Sequence, residues 1–500
     1  MDVAALIVCS LLAAAALVAP SPRGRAAALL GALALAPVIL VAHIWDSSQL
    51  ETLRDRPAFA AVGVLAGLAV LAVGARVVDR RPQLFPLAAV AAIPFRVPIS
   101  AGGSTSNLLL PLYLVVAAGA LAYALPRLRA AGPGPGAESE PRPGALEWLL
   151  GATLVLYAAQ TAYSSDVDHA LEQLVFFYVP FAALFLLLGR VAWTTELLRR
   201  CLLVLVGLAA ALVLIGFYEY GTKQLLLNPK VLASNQLEDY FRVNSLFFDP
   251  NIYGRFLAIV MLGLAGVLLW ARDRTDVVRT AAALALLWAG LVLTLSQSSF
   301  AALLLGLAVL GGLRWNPRRA AIGAGGLLVA GLLLVLLAPG LINLDLGDAE
   351  SADNATSGRY DLIEGGVGLV GDAPVLGQGS GSFAREYRRR EGASAARAAS
   401  ASHTIPITVA AEQGVVGLAV YLALLAAALS RLLRGASRSL PRAVVGAAFC
   451  ALLLHTMVYA AFLEDPLAWA LLAVGTALWR AAPPARRPRA ADVDADAVPA

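Results

Sequence analysis

Residues 241–270 read FRVNSLFFDPNIYGRFLAIVMLGLAGVLLW, a short polar segment that runs directly into an uncharged apolar stretch. The apolar part has the composition of a membrane-spanning helix, which needs about 20 mainly apolar residues. The whole chain follows the same pattern, since 59% of its 500 residues are hydrophobic and only 14% are charged. Soluble globular proteins carry far more charge, so the composition predicts a chain whose solvent is largely lipid.

Similar apolar runs recur along the chain and predict an all-α polytopic membrane protein with about 12–15 transmembrane helices. The runs at 84–95 and 299–313 are short enough to be re-entrant or merged with a neighbour. The predicted spans are 3–20, 26–44, 58–75, 84–95, 107–125, 145–163, 170–188, 198–217, 252–270, 280–296, 299–313, 320–338, 405–430, 443–462 and 466–480.

The loops between these spans alternate in charge. Every second loop is rich in arginine, as in SPRGR (21–25) and LRWNPRRA (313–320), whereas SQSS (296–299) and LEDP (463–466) have no basic residue. Because positively charged loops remain in the cytoplasm, the second group is predicted to lie outside. The net charge of +5 therefore reflects topology, and we expect the lipid bilayer as a partner and no nucleic acid.

Polar segments divide the chain into four predicted parts. Within the largest of them, SGRYDLIEGGVGLVGDAP (357–374) predicts a short amphipathic helix lying on the membrane surface, closed by Pro374. The parts are a transmembrane bundle over 1–338, with an outer-face segment at 217–255 and a cytoplasmic linker at 126–144, a large extracytoplasmic loop over 339–404, C-terminal transmembrane helices over 405–480, and a disordered cytoplasmic tail over 481–500.

Several enzyme motifs are absent from the sequence. There is no Gly-Lys-Ser/Thr phosphate loop, no His-Glu-x-x-His and no Cys-x-x-Cys. Cys9, Cys201 and Cys450 each lie in apolar runs, which is typical of small core residues. We therefore expect no cofactor and no metal site, and the sequence argues against ATP-driven transport by this chain.

Arginines collect on the predicted outer side, where Arg242 and Arg255 flank a span and Arg359 and Arg385 lie in the large loop. A guanidinium stays charged and binds phosphate oxygens in a bidentate manner, so the group suggests a phosphate-bearing lipid ligand. The alternative interpretation is purely structural: Arg255 pairs with Asp249 or extends to the membrane surface, and the arginine run at 388–390 is a solvated face.

His403 stands where the large loop enters the next span, with Glu412 on the helix that follows. A histidine there can take a proton from a hydroxyl near neutral pH, although it can equally be a helix-start residue that bonds loop carbonyls. Asp249 and Asn251 in DPN are typical of a turn and a helix cap.

The order of these segments resembles that of a known family. FRVNSLFFDPNIYG before a span, then LTLSQSS, then SGRYDLIEGGVGLVGDAPVLGQGSGSF in a large loop, and finally HTIPITVAAEQGVVGLAVY are similar to the O-antigen ligase / O-antigen polymerase superfamily of bacterial membrane glycosyltransferases. The motifs cover roughly residues 200–430.

The resemblance implies a GT-C-like, metal-independent enzyme of the bacterial inner (cytoplasmic) membrane. It would move a glycan from a polyprenyl diphosphate carrier to an acceptor hydroxyl (lipid A core, glycan repeat or other) at the outer face, with inversion. Carried over by position, Arg242 and Arg359 would bind the diphosphate and His403 would lie beside the acceptor. Thr404 and Gln297 depart from the family, whose members often have asparagine and arginine there.

Supporting roles at this predicted site fall to Arg255, Asp249, Asn251, Glu412 and Arg385. Three other functions remain open from the residues. The chain can be a repeat polymerase rather than a ligase of the same family, or, in a different class, a flippase or transporter of lipid-linked sugars. A transporter usually shows internal repeats and mid-membrane charges, whereas the charges here gather outside. A receptor that uses the large loop for binding is the third alternative.

Overall fold

A computed structural model describes residues 3–45, 48–101, 104–129, 142–227, 241–316, 318, 359–392, 404–459 and 461–482. Several predicted segments lie wholly or partly outside the described residues: the span at 320–338, residues 130–141 of the linker at 126–144, residues 339–358 and 393–403 (with His403) of the large loop, and residues 483–500 of the tail at 481–500.

The described chain is built almost entirely of helices, ten of which are long and apolar enough to cross a membrane, with two shorter apolar helices. These twelve reach the lower end of the predicted range, and the all-α polytopic fold is confirmed. The helices are α1 (Val3–Val18), α2 (Pro22–His43), α3 (Ser48–Asp55), α4 (Pro57–Arg80), α5 (Leu84–Ala92), α6 (Leu110–Arg129), α7 (Ala145–Gln160), α8 (Val167–Leu188), α9 (Thr195–Thr222), α10 (Pro250–Trp270), α11 (Arg274–Thr294), α12 (Gln297–Arg314), α13 (Arg359–Asp372), α14 (Phe383–Glu391), α15 (Ile405–Leu433), α16 (Leu440–Val458) and α17 (Pro466–Ala481).

The helices differ in how much of their surface other helices cover. Every residue of 179–188 in α8 is buried, and its apolar side chains join the core formed with α1, α2, α6, α7 and α17. In contrast, only Ala75 of α4 is buried. A helix that is apolar all round but uncovered by protein is suited to contact with lipid, so α4 lies at the periphery of the bundle.

One short β-hairpin interrupts the helical fold and was not predicted from the sequence. Strands β1 (Val97–Ala101) and β2 (Ser104–Leu108) pair antiparallel, with Val97 opposite Leu108 and Ala101 opposite Ser104. The hairpin follows the nine-residue helix α5, which is too short to span a bilayer. Arg96 lies in the short segment between the end of α5 and the first strand of the hairpin.

The described parts of the large loop pack on α15. The predicted surface helix is present as α13, and α14 begins after a glycine-rich turn, residues 373–382. The helix α15 is itself interrupted at Gly414, whose φ of 65° and ψ of −166° are not helical. A side chain at Gly414 would meet the carbonyl oxygen of Val375 at 2.2 Å, so only glycine allows the loop this close to the helix.

Candidate active site

Arg242 is held in place before α10 by two hydrogen bonds. Its Nε donates to the backbone oxygen of Thr294 at 3.0 Å, and its Nη2 donates to Oδ1 of Asn251 at 3.2 Å. Asp249 caps α10 by accepting from the backbone N–H of Asn251 at 2.6 Å, which confirms the turn and cap predicted from DPN. The arginine is therefore fixed between the start of α10 and the end of α11.

A chain of buried hydroxyls continues from Asn251 into the bundle. Ser296 Oγ donates to Asn251 Oδ1 at 2.8 Å and lies 2.8 Å from Ser299 Oγ. Ser298 and Ser299 in turn place their Oγ atoms 3.2 and 3.3 Å from Nε2 of His455, which is fully buried near the end of α16. The polar path thus joins α10, α12 and α16.

The close approach of α10 and α12 along this path depends on Gly254. A Cβ at that position would lie 2.6 Å from Ser299 Oγ and 3.2 Å from Thr294 Oγ1. Such distances are below van der Waals contact, so glycine is the residue that lets the serine hydroxyls reach the helix. The glycine in NIYGR, which the sequence alone left without a role, positions the network.

Arg255 lies one turn beyond Asn251 and is buried, with 1% of its side chain exposed. Its Nη2 lies 2.5 Å from Oδ2 of Asp465 at the start of α17. The partner is therefore Asp465 and not Asp249, which the sequence suggested as one alternative and which caps α10 instead. A fully buried charge needs such a partner because its desolvation is costly.

The charges of Arg96 and Glu464 interact with those of Arg255 and Asp465. The pKa of Arg96 is lowered by burial, a shift that the charge of Asp465 opposes and that of Arg255 adds to. Burial raises the pKa of Glu464 to about 7, although a hydrogen bond with Gln173 and the two arginines act in the other direction. Sequence inspection missed this cluster, because its members come from three distant segments.

Glu412 fastens the glycine-rich turn to α15. Its Oε2 accepts from the backbone N–H of Gly381 at 2.9 Å, and its Oε1 accepts from that of Phe383 at 3.1 Å. The backbone oxygen of Glu412 accepts a further bond from Gly379 at 2.8 Å. Gly377, Gly379 and Gly381 all have positive φ, a conformation that glycine adopts readily, and the resulting tight turn brings the N–H groups of Gly381 and Phe383 to one carboxylate.

Replacing Glu412 with alanine is expected to loosen this turn and to lower the free energy of unfolding by about 2 kcal/mol, because two charge-assisted hydrogen bonds are lost. Limited proteolysis within 374–383 and a melting curve in detergent measure the effect. Glu364→Ala, which removes an exposed carboxylate from α13, is the matched control. Equal protease resistance of Glu412→Ala and the control would contradict this role.

Arg385 on α14 connects the large loop to the start of α8. It donates to the backbone oxygen of Ser165, and its Nη2 lies 3.4 Å from Oδ1 of Asp166. Half of its side chain is exposed. Its described contacts are thus with protein groups that hold two segments together.

The side chains of two predicted site residues lie outside the described part of the structure. Arg359 is the first residue of α13, and its side chain lies outside the described part of the structure. His403, also outside, precedes Thr404, whose Oγ1 donates to the backbone oxygen of Met457 at 3.1 Å. Met457 lies between His455 and Tyr459, so the start of α15 is fixed beside the network that contains Arg242.

A cavity of about 70 Å³ lies between α7, α8, α15 and the loop over 461–465. A π-helical turn within α8 spans Gln173–Tyr178, and the first and last residues of this turn line the cavity. Such turns often occur at functional sites. The lining side chains that can donate or accept hydrogen bonds are Tyr157, His169, Gln173, Tyr178, Thr408, Glu412, Gln413, Tyr421 and Glu464.

The family of this segment of the chain follows from comparison with known proteins. Residues 282–422 match the family model described as O-antigen ligase. This segment belongs to the O-antigen ligase family. The resemblance drawn from the sequence is therefore confirmed, whereas a search of curated proteins finds no match.

The O-antigen ligase segment contains one side of the candidate site. It spans α12 with its serines, the helices α13 and α14, the glycine-rich turn and the start of α15 with Glu412. Arg242, Arg255 and His455 lie outside the segment but contact it or lie beside it. The chain is thus a multi-pass membrane protein in which the O-antigen ligase segment is completed by helices before and after it.

Proposed function

We propose that this chain is a membrane glycosyltransferase that moves a glycan from a polyprenyl diphosphate carrier to an acceptor hydroxyl. Membership of the O-antigen ligase family supports a lipid-linked glycan donor. The observation that carries the proposal is the bond from Arg242 to Thr294, which attaches an outer-side arginine to the O-antigen ligase segment. An arginine held in this way is already oriented before a diphosphate arrives.

In the proposed reaction the bond between the anomeric carbon and the diphosphate oxygen breaks, and the diphosphate leaves with the electron pair. The acceptor oxygen forms the new bond to the anomeric carbon from the opposite side, which inverts the configuration. Arg242 and Arg359 bind the diphosphate and stabilise the negative charge that develops on it. His403 takes the proton that the acceptor hydroxyl loses.

The anchoring of Thr404 supports this assignment for His403. Thr404, the residue that comes directly after His403 in the sequence, is attached to the backbone oxygen of Met457. That end lies beside Tyr459, which hydrogen bonds with Asp249 at the start of α10. The proton acceptor and the proposed diphosphate site are therefore proposed to share one end of the bundle.

The uneven distribution of arginine between alternate loops supports a defined orientation in the bacterial inner membrane. From the sequence, the loops that carry Arg242 and LEDP are predicted to lie on the side opposite the arginine-rich loops, and positively charged loops remain in the cytoplasm. We propose that the active site faces the periplasm or outside.

The test uses the full chain in proteoliposomes with undecaprenyl diphosphate that carries a short oligosaccharide. Lipid A core oligosaccharide is added as the acceptor, and mass spectrometry detects new glycosidic bonds. We expect glycan on the acceptor together with released undecaprenyl diphosphate, or longer lipid-linked glycans if the chain is a polymerase. Translocation of the lipid-linked oligosaccharide without any new glycosidic bond would overturn the proposal in favour of a flippase.

A further inference from the structure

The cavity between α7, α8 and α15 is lined by a buried amide that the protein satisfies only in part. Nε2 of Gln173 lies 3.3 Å from Nε2 of His169, and the same side chain hydrogen bonds with Glu464. Because an amide nitrogen carries two N–H groups, these two partners set the orientation of the amide. Its oxygen Oε1 is then buried without a hydrogen-bond partner among the described residues.

Tyr421 presents a second group of this kind. Its hydroxyl is buried and also lacks a partner in the described part of the chain, while its ring packs edge-on against Phe462. Gln173 and Tyr421 are only 6% and 4% exposed, and both line the cavity. Burying a polar group without a partner is costly, so the two side chains point to a hydrogen-bonding ligand inside the cavity.

The volume of the cavity limits what this ligand can be. The cavity has about 70 Å³, and since a water molecule takes up about 30 Å³ in the liquid, about two water molecules fit. A sugar ring with its hydroxyl groups is too large. Water in such a site needs several polar partners, which the amide of Gln173, the hydroxyl of Tyr421 and the carboxyl of Glu464 provide.

Two carboxyl groups line the cavity, and they differ in their hydrogen bonds. The oxygens of Glu412 accept from the backbone N–H groups of Gly381 and Phe383, and such bonds favour the charged form. Glu464 accepts from Gln173, and burial raises its pKa to about 7 against this bond and the nearby arginines. Glu464 is therefore the carboxyl group of this cavity better suited to bind a proton near neutral pH.

Several elements contribute charged or titratable groups around Glu464. An N–H group of Gln173 faces Nε2 of His169, an arrangement that favours the neutral imidazole. Asp465, the next residue in the loop, pairs with Arg255. The other groups that act on Glu464 or line the cavity with it are Arg96, Tyr157, Tyr178, Glu412 and Tyr421.

We propose that Glu464 and the water in this cavity form a proton-exchange site. Its role rests on the proposed function: the proton that His403 takes from the acceptor hydroxyl passes to a cavity water, which gives a proton to the Glu464 carboxylate. The carboxylic acid then releases this proton to outside water before the next transfer. Ile405 and Thr408 near the start of α15 line the cavity, which supports its use at this end of the helix.

The first test is infrared spectroscopy of the purified full chain in nanodiscs, with no glycan present. A protonated carboxyl group has a C=O stretching band that carboxylates and amides lack. We expect the difference between the spectra of the wild type and Glu464→Gln to contain one such band, which is lost as the pH rises through about 7. In the wild type this band is expected to shift in D₂O, because water reaches the proton.

Two further variants show which group carries the proton. Glu364→Gln removes an exposed carboxyl group from α13 and is expected to leave the band unchanged. A band that persists in Glu464→Gln and disappears in Glu412→Gln would place the proton on Glu412 and overturn the proposal. A wild-type band that does not shift in D₂O would show that the cavity is dry, which would overturn it as well.

The second test is the pH dependence of glycan transfer in proteoliposomes. Above pH 7, where the wild-type carboxylate can accept a proton, Glu464→Gln is expected to transfer glycan about tenfold more slowly than the wild type. Below that pH the two rates are expected to converge. Equal rates at every pH would overturn the role of Glu464 in transfer, whereas a wild type that forms no glycosidic bond contradicts the proposed function and leaves the infrared result to decide on the proton site.

Discussion

Replacing Arg242 with alanine is expected to lower glycan transfer by at least about a hundredfold, because preorganised charge that meets a developing negative charge contributes on the order of 10²–10³ in rate. Arg242 is already held by Thr294 and Asn251, so the proposed binding of a diphosphate would require little reorganisation of this side chain. The rate of formation of new glycosidic bonds in proteoliposomes measures the effect.

Two variants show whether the shape or the charge of this residue matters. Arg242→Lys keeps the charge but loses the bidentate guanidinium and is expected to retain an intermediate rate. Arg199→Ala removes an exposed arginine that pairs with Glu196 and is expected to leave the rate unchanged. If Arg242→Ala inserts, folds and transfers glycan at the rate of the wild type, Arg242 does not bind the diphosphate.

Replacing Arg255 with alanine is expected to cost about 3–5 kcal/mol of stability, because it leaves Asp465 buried without its partner. Both side chains are almost fully buried, at 1% and 3% exposure. The double variant Arg255→Met with Asp465→Leu removes both charges and is expected to recover most of the loss. Unfolding curves in detergent measure the stability of the single and double variants.

An exposed ion pair provides the comparison for this result. Arg385→Met breaks the contact with Asp166, in which the arginine is half exposed, and is expected to change stability by less than about 1 kcal/mol. A similar loss for Arg255→Ala and Arg385→Met would show that burial does not determine the strength of the Arg255 pair.

Most helices could be predicted from the sequence, because an apolar run of about 20 residues leaves few other structures possible in a membrane. The hairpin of β1 and β2 was missed, since PISAGGSTSN lacks the alternating pattern of a half-buried strand. The break at Gly414 was missed as well, because EQGVVGL lies inside a longer apolar run that favours a continuous helix.

The candidate site could be predicted only where a residue stood out against its local sequence. Arg242 was found because a charge next to a span is costly, and Asp249 because DPN has local turn chemistry. Contacts between distant parts of the chain could not be predicted in this way. Nothing in the sequence near His455 indicates Ser298 as its partner, and nothing near Arg255 indicates Asp465. Such pairs depend on how distant helices pack, which a single sequence does not reveal.

The interruption of α15 at Gly414 ties the glycine-rich turn to this helix. The N–H groups of Gln378 and Gly379 bond to the freed backbone oxygens of Ala411 and Glu412, and that of Val415 bonds back to Pro374. The turn is therefore joined to a membrane-spanning helix by backbone hydrogen bonds. We expect any displacement of the glycine-rich turn to tilt the adjoining part of α15 as well, because the two segments share these backbone hydrogen bonds.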